Sequence, residues 1–432
     1  MAEKHDLLDD IIDITNNWSA VTKPVETVVS NISFDPETAP QWDPSKYKER
    51  PRANGVRCLS VASKNPKMCT KCQDVCPVDA ITITESKLTV NENCRKCGLC
   101  AAACPTEAFL IQKLMPKTLY NNIAKQAASH NMCYITCTRA LGRIPKENEI
   151  VLPCVGALSK ELWFSLFMEF DNISVYLPLG VCDRCRTTTG EEAYTDAISY
   201  AEELTGAACG LEVDEKGLDH EQSRAYKRSQ FLSQVASTGT SLMKGSTAGR
   251  AMTGAQAVAQ RISNHTKRVN ELTRSLEQAV GVQNSQHHRR MLTQRRELVM
   301  AALQKWPEPA KQMKSELPSC DMSKCTMCGD CTTACVLHAI ELDRVGRIAI
   351  EPAYCIGCAA CAKVCKEGAL SMHPTDGSAL VIPDPHAEEI AKERAEVRRL
   401  KEQGKKMIDS SVKAISAMGS EEEKSSSTKK KA

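Results

Sequence analysis

Four short runs of cysteine carry the chemistry that this sequence can offer. One is complete at Cys94, Cys97, Cys100 and Cys104, with Pro105 after it. Two more are complete at Cys325, Cys328, Cys331 and Cys335, and at Cys355, Cys358, Cys361 and Cys365. The fourth, MCTKCQDVCP at 68–77, supplies Cys69, Cys72, Cys76 and Pro77, but Pro66 stands where its first cysteine is expected. Thiolates at C-x2-C-x2-C-x3-C spacing wrap an iron–sulfur cluster, and the last cysteine of each run serves the neighbouring cluster. The ligand sets then follow. Cys94, Cys97 and Cys100 take Cys76, while Cys69, Cys72 and Cys104 lack a fourth thiolate.

Cys58 is the free thiol near that gap, and RCLSVASKNPKMC can fold back as a loop at modest entropic cost. The expectation is a four-thiolate site containing Cys58, against a three-iron site beside an incidental thiol. In the second pair, Cys325, Cys328 and Cys331 take Cys365, and Cys355, Cys358 and Cys361 take Cys335. Cys320 is left over; it is read as a non-ligand, either a spare thiol or a packed small hydrophobe, with a swapped ligand as the rival. Each pair has a hairpin between its runs, ITITESKLTV in the first and AIELDRVGRIAI with Gly346 in the second. Zinc also uses C-x2-C pairs, but normally two of them across a longer loop. Residues 55–112 and 318–375 resemble bacterial-type two-cluster ferredoxins, which implies four [4Fe–4S] clusters. The second pair departs by carrying Val336 and Lys366 where Pro77 and Pro105 stand. Proline fixes φ and removes a donor, so altered amide geometry and an altered potential are expected there.

Between the pairs, strand candidates EIVLPC (149–154) and NISVYLPLGVCDRC (172–185) alternate with helix candidates 159–170 and 190–204. Cys154, Cys182 and Cys185 fall at or beyond strand ends, and Cys133 and Cys137 are expected to join them. Carboxyl ends of parallel strands share the edge where ligands usually bind. A [2Fe–2S] or [4Fe–4S] cluster is the first reading, and a Cys182–Cys185 redox dithiol or structural cysteines are the rivals. Cys209 reads as a lone thiol. This block resembles the iron–sulfur (delta) subunit of methyl-viologen-reducing hydrogenases that partner heterodisulfide reductase. The resemblance matches Cys133 and Cys137, then Cys154, then Cys182 and Cys185. It implies a [2Fe–2S] cluster between a flavin subunit and a hydrogenase-type partner. VCDRC is tighter than the usual family spacing, and five cysteines exceed four ligands.

The elements that must position these thiols give an α+β fold, with two ferredoxin-like dicluster domains flanking a small α/β domain and a helical linker. The expected division is an irregular region 1–54, a dicluster domain 55–112, an α/β cysteine domain 113–217, a linker or docking arm 218–317, a dicluster domain 318–385, and a helical extension with a low-complexity tail 386–432. Residues 255–276 carry a near-heptad seam, and 289–306 form a basic helix before Pro307. These helices are expected to pack on the cluster domains, or else to dock a partner or a membrane surface. His287 and His288 read as solvated.

The chain has 23 cysteines in 432 residues, a net charge of +3 and 4% aromatics. No signal-peptide pattern or apolar span is visible, which disfavours disulfides and transmembrane segments, and near-balanced charge gives no case for nucleic acid. GxGxxG, GxxxxGK[ST] and HExxH patterns are missing. The expected role is a cytoplasmic electron-transfer subunit of an oxidoreductase complex, partnered by catalytic or flavin-containing subunits. Electrons would cross from one pair to the other through the middle site. The alternatives are a catalytic reductase using the middle cysteines, and a stand-alone polyferredoxin carrier or scaffold.

Overall fold

A computed structural model describes residues 41–224, 226–227, 290–342 and 346–381. The seam at 255–276, His287 and His288, and the regions 1–40 and 382–432 lie outside the described residues. In the first module, β1 (Arg52–Ala53) leads to the short helices α1 (Leu59–Ala62) and α2 (Lys71–Asp74). The hairpin β2 (Ile81–Ile83) and β3 (Leu88–Val90), α3 (Leu99–Ala103) and β4 (Phe109–Leu110) follow. β1 pairs antiparallel with β4, Ala53 opposite Phe109, so the module starts slightly before the expected residue 55. The hairpin pairs Ile81 with Val90 and Ile83 with Leu88.

The α/β module begins with α4 (Pro116–Ser129), which has proline in its first turn, where the missing N–H costs nothing. Leu119, Tyr120, Ile123, Ala124 and Ala127 form its buried face. Then come β5 (Cys133–Cys137), α5 (Thr138–Leu141), β6 (Glu149–Leu152), α6 (Lys160–Phe167), β7 (Ile173–Tyr176), α7 (Gly190–Thr205) and β8 (Gly210–Glu212). The four strands form one parallel sheet in the order β6-β5-β7-β8. β5 and β7 are buried at every position, as a parallel sheet covered on both faces requires. α7 carries Glu191 and Glu192 in its first turn and ends on left-handed Gly206, both favourable end signals.

α8 (Gln294–Lys305) falls within the helix expected at 289–306. Its Leu298, Val299, Met300 and Leu303 are at most 1% exposed and belong to the core of the α/β module. That face is therefore occupied within the chain. The second module contains β9 (Ser315–Cys320), α9 (Asp330–Ala334), β10 (Ile340–Leu342), β11 (Ile348–Ile350), α10 (Ala360–Val364) and β12 (Leu370–Thr375). β9 pairs antiparallel with β12, and Cys320 lies opposite Leu370.

The two dicluster modules flank the α/β module in sequence and also touch each other in space. Leu59 and Met68 of the first pack directly against Val336, Leu337 and Ala360 of the second, with Cys69 and Cys358 at the edges of the same apolar contact. Lys363 Nζ donates to the Met68 carbonyl across it at 3.4 Å. The α/β module adjoins the first module elsewhere, and it also shares its core with Ala339, Ala353 and Tyr354 of the second. Its Gly156 lies against Leu99, and Thr189 donates to the Val75 carbonyl at 2.7 Å. Among the described residues, no helix is long and apolar enough to cross a membrane.

Candidate iron–sulfur sites

The thiols gather into five groups, and the groups form a row. At one end, on the carboxyl edge of the parallel sheet, Cys137 ends β5, Cys154 follows β6, and Cys182 and Cys185 follow β7. Cys154 is pushed up to about 12 by burial and by neighbouring Cys137, Cys97 and Cys185. Cys182 is pushed up to about 11 by burial, then by Glu191 and the thiols of Cys137 and Cys185, while the Tyr194 hydroxyl donates to it. The approach is close enough that a Cβ on Gly190 would lie 2.6 Å from Cys154 Sγ, so only glycine fits at the start of α7. The Thr187 amide donates to Cys185 Sγ at 3.4 Å.

Cys133 does not join this group. It begins the strand that Cys137 ends, and four steps of about 3.3 Å separate the two by about 13 Å. It is fully buried, with its thiol pointing at the Ile123 carbonyl, and burial alone raises it. Cys209 precedes β8 on the same amino-terminal edge, and burial and then Glu202 raise it. Thus four of the five expected thiols converge, and the fifth is part of the packed core.

The second group is Cys76, Cys94, Cys97 and Cys100 of the first module, which line one cavity. Cys97 is raised by burial and by Cys94 and Cys76, and it is also a neighbour of Cys154. The third group is Cys58, Cys69, Cys72 and Cys104. Cys72 is pushed up to about 12 by burial and then by Cys104, Cys69 and Cys58. Cys100 faces Cys72, which joins the second group to the third. The fourth group, Cys335, Cys355, Cys358 and Cys361, lines a cavity whose wall includes Leu59 and Thr106 of the first module. Cys361 is pushed up to about 12 by burial and by the other three thiols. The fifth group, Cys325, Cys328, Cys331 and Cys365, lines the outermost cavity. Cys331 and Cys365 share an apolar cluster with Cys335 and Cys361.

Local geometry repeats across these groups. After each run, the amide four residues beyond the last cysteine donates to its sulfur at 3.3 Å: Ala80 to Cys76, Ala108 to Cys104, Ala339 to Cys335 and Ala369 to Cys365. The residue before each alanine is left-handed: Asp79, Glu107, His338 and Gly368. Val336 and Lys366 therefore leave this turn as Pro77 and Pro105 leave it, and the altered amide geometry expected from their substitution is not found. The three complete runs also share two left-handed residues around their second cysteine: Lys96 and Gly98, Met327 and Gly329, Gly357 and Ala359.

Those two left-handed residues are missing from the incomplete run, and the reason lies upstream. In the second module, Asp321 N donates to the Ala369 carbonyl, Asp321 Oδ1 caps Ser323, and Cys325 follows. In the first, Asn54 N donates to the Ala108 carbonyl, Asn54 Oδ1 caps Val56, and Cys58 follows. Cys58 thus occupies the place of Cys325, and Pro66 is not the equivalent position. Eleven positions separate Cys58 from Cys69 and three separate Cys325 from Cys328, so eight residues are inserted between ligand positions. The insertion forms α1. Its buried Ser60 accepts from the Cys69 amide and donates to the Cys69 carbonyl, each at 3.0 Å, holding the second cysteine in place of a left-handed turn.

Two adjacent arginines on α8 join the third and fourth groups. Arg295 donates to the carbonyls of Ala102 and Cys104, while Glu107 accepts from the amides of Gln294 and Arg295. Arg296 donates to the carbonyls of Pro352, Ala353 and Cys355. Sequence reading missed both arginines and Ser60. The RR pair inside a helix with apolar flanks was the available signal for the arginines, and nothing local marked Ser60.

These groups fit iron–sulfur clusters. Each gathers four thiols, all buried or half-buried except exposed Cys328; three of the groups line a cavity, and backbone amides are aimed at sulfur. Among the described residues, no three His, Cys, Asp or Glu side chains close to the spacing of a single metal ion. Residues 65–108 and residues 324–370 each match a 4Fe-4S dicluster domain family model. These matches imply [4Fe–4S] clusters in both modules, up to four, and an iron–sulfur electron-transfer role. No curated protein and no solved structure matches the chain.

Proposed function

We propose that the chain is an electron-transfer subunit of a larger oxidoreductase complex, with a four-thiol site in the α/β module as one terminus and the Cys325 group as the other. The observation that carries this reading is the succession of nearby thiol groups: Cys154 neighbours Cys97, Cys100 neighbours Cys72, Cys69 and Cys358 flank one apolar contact, and Cys361 and Cys331 share one apolar cluster. A bound iron–sulfur cluster supplies reversible one-electron storage over a wide range of potentials. The protein's part is to keep successive sites in contact, exclude water from the inner ones, and aim amides at their sulfurs. Arg295 and Arg296 fix the spacing of the two inner sites from a single helix.

The resemblance of the α/β module to hydrogenase delta subunits supports a fifth cluster at Cys137, Cys154, Cys182 and Cys185, and a flavin-containing or hydrogenase-type partner at that end. Leu179, in the loop leading to Cys182, is 85% exposed and gives a partner an apolar contact close to the site. The test is electron delivery from a reduced protein donor, followed by stopped-flow bleaching. With Cys154→Ala, bleaching of the module clusters by a donor that docks at the α/β end should slow at least tenfold. Unchanged rates with every candidate donor would sink the terminal assignment.

A further inference from the structure

The outermost site holds five thiols. Cys320 ends β9, pinned opposite Leu370 by the β9–β12 pairing and by the hydrogen bond from Asp321 N to the Ala369 carbonyl. Its side chain packs among Cys331, Cys365 and Leu370. Its sulfur has Cys325, Cys331 and Cys365 as neighbours. No other thiol approaches so near a ligand group without belonging to it; Cys133 and Cys209 are at the far edge of their sheet.

The first module shows what this position normally holds. Ala53 pairs with Phe109 as Cys320 pairs with Leu370, and Phe109 and Leu370 each follow the alanine that donates to the last cysteine of a run. Cys58 and Cys325 then each lie five residues beyond. The packing there needs only a small side chain, so a thiol is not required by the fold. In the second module a thiol stands behind the first ligand, on a strand end that cannot move away from it.

We propose that Cys320 is an exchange ligand for the outermost cluster, able to take the iron held by Cys325. This rests on the reading that the Cys325 group holds a cluster. The step is a ligand substitution with no change of oxidation state. The Fe–S bond to Cys325 breaks, the Fe–S bond to Cys320 forms, and the Cys320 proton passes to the released Cys325 sulfur beside it. A site of this kind keeps four thiolate ligands when Cys325 is oxidised or alkylated, whereas the equivalent site at Cys58 does not.

The test uses the full chain purified without oxygen, with iron and sulfide counted per chain and EPR recorded on oxidised and reduced samples. Cys325→Ala should keep the wild-type iron count and give no three-iron signal. Cys325→Ala with Cys320→Ala should lose about one iron and show a three-iron signal when oxidised. Cys58→Ala is the internal control; with Ala53 behind it, it should give the three-iron signal on its own. A three-iron signal in Cys325→Ala equal to that of the double variant would overturn the proposal. So would loss of all four irons of that site in the single variant while the other sites stay loaded. A wild-type chain that binds no iron would instead overturn the cluster reading itself.

Discussion

The two dicluster modules have the same job and the same turns, yet enter their first site differently. The second passes from Cys325 to Cys328 in three steps, using left-handed Met327 and Gly329 to bend the chain around a sulfur. The first takes eleven steps from Cys58 to Cys69, builds α1 in between, and uses buried Ser60 to hold Cys69 from both sides. The difference teaches that a ligand run is defined by where the thiols end in space. An insertion is tolerated if a buried hydrogen bond replaces the lost turn, and here it has a second use. Leu59 and Met68, at its two ends, supply the first module's side of the contact with the second.

The largest expected effect tests the shared clamp. Arg295→Met leaves Glu107 and two carbonyls of the first module short of a buried cation and should cost about 3 kcal/mol. Arg296→Met removes donors only from the second module and should cost about 2 kcal/mol. Thermal unfolding and chelator-driven iron loss of each variant read this, with iron released first from the module whose clamp is cut. If both variants release iron from the same module, the arginines do not divide the work.

Ser60→Ala should cost about 2 kcal/mol by leaving the Cys69 amide and carbonyl without their buried partner. It should make one cluster of the first module labile to oxygen while the second module keeps its iron. Equal lability in both modules would mean that Ser60 does not replace the lost turn. Ala359 stands where Gly98 and Gly329 stand, at φ +59°. A non-glycine residue there is strained, so Ala359→Gly should stabilise the second module by about 1 kcal/mol, read as a rise in its melting temperature. A fall would show that the loop is not strained.

The smallest effect concerns the prolines. Cys335 and Cys365 already have ψ of 92° and 105°, close to the 115° of Cys104 before Pro105. Lys366→Pro, at an exposed position, should therefore change stability by less than about 0.5 kcal/mol. Redox titration should find the potentials of the second module little moved. A large shift in either would restore proline to a role that the common Ala amide–sulfur bond denies it.

Much of this was legible in the sequence because ligand spacing is a local property. Three complete runs, the hairpins at 81–90 and 340–350, and the strand-end cysteines Cys154, Cys182 and Cys185 all follow from patterns within a few residues. Cys58 was found as the nearest free thiol, but counting back from Cys69 hid the insertion. The shared Asx turn, Asn54 before Cys58 and Asp321 before Cys325, was the signal that placed it. Cys133 was misplaced because two cysteines four apart share a strand face but not a strand end. The order of the modules in space was not legible. It depends on Leu59, Met68, Val336 and Leu337 meeting across about 270 residues of sequence, and each alone looks like ordinary core.

The central claim is that the two dicluster modules adjoin directly, with the α/β site at one end of the row. The most direct measurement is pulsed EPR on the reduced chain bearing Cys154→Ala, with iron counted in the same sample. The account predicts that about sixteen irons remain and that magnetic coupling between the clusters of the two modules is unchanged, while any signal of the α/β site is lost. Loss of the coupling between the modules in that variant would contradict it, because the electron path would then run through the α/β site after all.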